Sequence, residues 1–118
     1  MATLEQLATA ALNGESLLLR SLTQDWLLEH PNLSNCPAPE TNDARLLAAA
    51  ASLVELFAQR LHQTPPTWAR DVAGLPEPIH LLKSAARMRR LRELCESESP
   101  EPLRKRGFYA PPNFLEFA

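Results

Sequence analysis

The chain has 118 residues, a hydrophobic share of 45% and a formal net charge of −2. That length suits one domain with a single core, and no apolar run is long enough to span a bilayer. The two cysteines, Cys36 and Cys95, fit no zinc spacing, and a lone disulfide is not expected in a chain without a signal peptide; the expectation is a soluble cytosolic protein.

Leu and Ala are abundant, β-branched residues are scarce and only three Gly occur. These choices favour helix over hairpin. Thr3 to Leu12 reads as a first helix, with Thr3 and Gln6 forming a capping box. Leu4, Leu7, Ala8 and Ala11 make its apolar stripe, and Asn13-Gly14 is its C-terminal stop. A second helix runs from Glu15 to His30 and ends at Pro31. Leu18, Leu19, Leu22 and Trp26 share one face. Leu17 and Leu28 share another, beside Ser21 and Gln24. The reading covers both seams within the monomer; the alternative puts the Leu17 and Leu28 seam in a homodimer or partner interface.

Pro31 to Thr41 has no periodicity and reads as a surface connection. Asp43 to His62 is the central helix, with Asn42 and Asp43 as its start signal and Pro65-Pro66 as its stop. At 100° per residue, Leu46, Leu47, Ala50, Leu53, Val54, Phe57, Ala58 and Leu61 fill one broad face. A narrow strip of Arg45, Ser52, Glu55, Gln59 and His62 is left for water. So wide an apolar arc needs neighbours on more than one side.

Thr67 is placed to cap a short turn through Asp71, with Trp68 at least partly buried. Leu75-Pro76-Glu77-Pro78 is forced extended by its prolines. A further helix is expected to begin between Ile79 and Ser84 and to end near Glu96, with Ala85, Met88, Leu91 and Cys95 buried. Ser99-Pro100 starts a last turn to Lys105. Gly107 to Ala118 forms an extended aromatic tail lying against the body. The fold expected is a single compact all-α domain, residues 1–118, of four to five helices around a central buried one.

The charge is unevenly distributed. Residues 1–82 carry four basic and nine acidic side chains, and residues 83–118 carry eight and five. On the basic helix, the pairs Arg89 with Glu93 and Arg92 with Glu96 are spaced to neutralise each other. Lys83, Arg87 and Arg90 form a separate row at i, i+4, i+7, with no carboxylate of their own helix in it. Arg104-Lys105-Arg106 adds charge, followed by Phe108 and Tyr109. Arg beside aromatics suits an acidic protein surface, a phosphate or a nucleic acid. The structural alternative is that these cations pair with the acidic first half. His30, His62 and His80 have no metal spacing, Glu96 and Glu98 lie at a helix end, and there is no phosphate loop or nucleophile elbow. The expectation is a non-enzymatic protein without cofactor or metal.

Pro66-Thr67-Trp68, Leu75-Pro76-Glu77-Pro78, Ser99-Pro100 and Arg104-Lys105-Arg106-Gly107-Phe108-Tyr109 together resemble small bacterial proteins with a Pro-x-Trp, a Glu-Pro step and a late Arg-x-Arg-Gly ending. Some of these look like the antitoxin, or companion, component of toxin–antitoxin pairs. The resemblance covers about residues 64–115 and implies a protein partner. It brings no helix-turn-helix signature in the first half.

Overall fold

The computed structural model describes residues 2–81, 88–112 and 114–115. It is a compact, mostly helical domain with a radius of gyration of 13.2 Å. The helices are α1 (Leu4–Leu12), α2 (Ser16–Glu29), α3 (Ala44–Arg60), α4 (Thr67–Arg70), α5 (Arg89–Glu98) and α6 (Glu101–Arg104), with a 3₁₀ turn at Leu33–Asn35. Two short strands, β1 (Ile79–His80) and β2 (Phe108–Tyr109), pair in parallel, Ile79 opposite Phe108.

The caps explain the element boundaries. Thr3 Oγ1 accepts from the Gln6 N–H at 3.2 Å, and Gln6 Oε1 accepts from the Thr3 N–H at 3.0 Å, closing the expected capping box. At the other end Gly14 takes a φ of +69°. Its N–H donates to Ala11 and that of Glu15 to Ala10, the paired bonds of a Schellman turn. Asp43 starts α3 by accepting from the Arg45 and Leu46 N–H groups at 2.9 and 3.4 Å.

α3 stops at Arg60, before the double proline. His62 adopts a φ of +56°, and the N–H groups of His62 and Gln63 return to Gln59 and Ala58. This is the same Schellman closure made without glycine. The Gln63 side chain then pins the turn, accepting from Leu33 N–H at 2.9 Å and donating to Pro31 O at 3.0 Å. Because the helix ends there, Leu61 is 49% exposed rather than buried.

α3 packs against α1, α4 and α6. Residues 48–58 are all buried, so the strip expected to face water is partly enclosed: Ser52 and Glu55 are inside. Ser52 satisfies its hydroxyl by donating to Ala48 O at 2.8 Å. Trp26 is buried and reaches across to Phe57, ring centroids 6.1 Å apart. Half-buried Trp68 donates its indole N–H to Cys36 O at 2.8 Å.

Four further expectations are corrected. On α2, Leu19, Thr23 and Trp26 face the core, while Leu17 and Leu28 are 86% and 83% exposed, so the second seam is not covered within the monomer. Ile79 and His80 form a strand rather than a helix start, because Pro76 and Pro78 keep the backbone extended and β2 supplies the ladder. Thr67 is the first residue of α4 and Pro66 the cap position. Met88, expected inside, is exposed at the cap of α5.

A Cβ in the left-handed region costs roughly 1–2 kcal/mol. His62→Gly is therefore expected to raise the unfolding free energy by about 0.5–1 kcal/mol in urea, and His62→Ala to give no such gain. An equal gain from both would contradict the backbone origin of the effect.

Candidate functional site

The sequence groups seven residues as one basic surface. Two of them, Lys83 and Arg87, lie outside the described residues. The other five are separated by the fold.

α5 presents Leu91 and Cys95 inward and Arg89, Arg90 and Arg92 outward. Arg89 Nε donates to Glu93 Oε1 at 3.1 Å, as the i, i+4 spacing predicts. The second expected pair does not form. Glu96 instead meets His80 Nε2 at 3.4 Å, because it faces β1. Arg90 and Arg92 are thus exposed with no ion-pair partner among the described residues.

Arg104, also exposed, folds back and donates to Ser97 O at 3.2 Å near the C-terminal end of α5, where cations complement the helix dipole. Lys105 points the other way, its Nζ 3.0 Å from Glu55 Oε2. Arg106 turns wholly inward and is 2% exposed. Its guanidinium pairs with Glu55 Oε1 and donates to the backbone carbonyls of Ala69, Val72 and Pro102. Arg106 therefore cannot meet a partner at the surface. Consecutive residues leaving the end of α6 point about 100° apart, so a run of three cations is not a patch. Tyr109 is half-buried, its ring 5.2 Å from that of His80.

Glu55, 9% exposed, is the residue that sequence reading missed. Its signal was present in part: a carboxylate at the edge of so broad an apolar arc needs a cation once it is enclosed. What supplies it stands 51 residues further on. A cavity of about 240 Å³ lies beside the pair, lined by Glu55, Gln59, Gln63, Glu101 and Lys105. With both oxygens engaged by cations, Glu55 acts as a counter-charge. Among the described residues no group of three or more His, Cys, Asp or Glu could hold a metal ion, and no helix is long and apolar enough to cross a membrane.

Both cysteines are buried thiols. Burial, helped by the Glu5 carboxylate, pushes Cys36 up to about 11; burial and Glu96 raise Cys95. No known protein family, curated protein or solved structure matches the chain.

The Cys36 shift fixes a pH dependence. The unfolded thiol ionises near 9 and the folded one near 11, so above pH 9 the unfolded state releases the proton first. The stability contribution is complete below that pH and lost as pH rises toward 11. Denaturation midpoints measured from pH 8 to 11 are expected to fall, and to fall less in Cys36→Ala; identical slopes would contradict the assignment.

Proposed function

We propose that the chain is a small non-enzymatic bacterial binding protein. Its role is that of an antitoxin-like or companion subunit, and it docks an acidic partner protein on the cationic face of α5. The observation that carries this reading is the exposure of Arg90 and Arg92 with no ion-paired carboxylate among the described residues. Arg89 and Arg90 also occupy the first turn of α5, which holds no acidic residue. Cations at that end oppose the helix dipole, an arrangement that an anionic partner relieves.

A planar guanidinium fits carboxylate and phosphate alike, so nucleic acid is the competing ligand. The inward turn of Arg106 and the pairing of Lys105 with Glu55 shrink the basic surface. The half-buried setting of Tyr109 removes an open stacking platform. Both features favour a protein partner.

Fluorescence anisotropy separates the two readings, using a labelled Asp/Glu-rich peptide and a duplex DNA of similar charge. The peptide is expected to bind. In Arg90→Glu/Arg92→Glu its affinity should drop at least about tenfold while stability changes by under ~1 kcal/mol. DNA bound more tightly than peptide, with a steep salt dependence, would establish the nucleic-acid alternative. Binding of neither at low salt removes the proposal.

A further inference from the structure

We infer that α2 is a self-association surface, and that its occupant is α2 of a second copy of this chain, running parallel to it about a two-fold axis. This inference is independent of the reading of α5. Leu17, Ser21, Gln24 and Leu28 are all exposed. They are spaced four, three and four residues apart, the rhythm at which one line of a helix keeps returning to a partner helix. Leu17 and Leu28 are the two most exposed large apolar side chains among the described residues, and they stand at the two ends of this line, about 16 Å apart along the axis.

The flanks identify the occupant. Arg20 lies on one side of the line and Asp25 on the other, and both are exposed. When two copies of α2 run parallel and in register, Arg20 of each meets Asp25 of the other, five residues on, along both edges of the contact. An antiparallel pair instead sets the Arg20 edges together and the Asp25 edges together. Charge complementarity therefore selects a second copy of this same helix in the parallel sense. Arg20 is already engaged within its own chain, and the five donors of a guanidinium leave it able to take a further carboxylate.

The line itself is self-complementary. In parallel register each Leu layer meets its own copy. Gln24 faces Gln24, whose amide can both donate and accept, and Ser21 faces Ser21. Polar side chains in the middle of an otherwise apolar seam fix register at some cost in stability. The result is an isologous contact, closed after two subunits.

The experiment is light scattering after size exclusion, across a range of protein concentrations, on the wild-type chain, Leu17→Glu, Leu28→Glu and Gln24→Cys. The wild type is expected to show a concentration-dependent dimer. Each Leu→Glu change, made at an exposed site and so leaving the far-UV circular dichroism unchanged, should raise the dissociation constant at least about tenfold. Under mild oxidation Gln24→Cys should form a covalent dimer that the wild type, with its buried thiols, does not form. A wild-type mass of one copy up to about 1 mM overturns the inference, as does a dimer indifferent to both Leu changes. A Leu-dependent dimer in which Gln24→Cys fails to cross-link overturns the parallel register.

Discussion

A buried ion pair between Glu55 and Arg106 holds the second half of the chain to the central helix. A lone carboxylate inside α3 would cost several kcal/mol, so the fold requires a cation to be delivered there. Arg106 does more than neutralise it. Its remaining donors reach the backbone carbonyls of Ala69, Val72 and Pro102. Two of these, Ala69 and Pro102, sit in helices of only four residues, α4 and α6. Helices so short have no stability of their own. One side chain thus satisfies the backbone of two elements that nothing local would keep.

The neighbouring backbone is shaped to admit it. At Gly74 a Cβ would stand 2.9 Å from the Arg106 Cα, so only glycine lets the two segments approach. The Leu75 N–H then donates to Arg106 O at 3.0 Å. Gly107 turns the chain with a φ of +87°, and its carbonyl accepts from Ile79 N–H at 2.8 Å, which starts the β1–β2 pairing. Ser99 ties down the far side: it accepts from Ala110 N–H at 3.0 Å, and its hydroxyl lies within bonding reach of the carbonyls of Cys95 and Ala110. The buried ring of Phe108 completes the packing.

Local signals in the sequence were enough for the features that local chemistry decides. Thr3 with Gln6, Asn13-Gly14, Asp43 and the apolar arc of α3 from Ala50 to Ala58 follow from local pattern, and the structure keeps them. The failures have separate causes. Glu55 was assigned to water because a helical wheel knows only its own helix, and its partner comes 51 residues later. Leu61 was assigned to the core by its place on the arc, but the helix stops at Arg60, closed by a turn at His62 that a non-glycine residue seldom makes. Arg104, Lys105 and Arg106 were grouped by adjacency, although three successive residues point to a helix end, a surface pair and the interior. For the candidate site, the Arg89–Glu93 pair was legible by spacing. The freeing of Arg92 was not, since it depends on Glu96 facing His80 across a strand pairing invisible to periodicity.

The central claim is that Glu55 and Arg106 stabilise the fold as a pair, and a double-mutant cycle by urea denaturation tests it most directly. Glu55→Leu and Arg106→Met should each cost about 3–5 kcal/mol, because the first strands the buried guanidinium and the second leaves Glu55 only the half-exposed Lys105. The double variant should cost clearly less than the sum, with a coupling of at least ~2 kcal/mol. Additivity within about 0.5 kcal/mol would contradict the account and reduce Arg106 to its backbone hydrogen bonds.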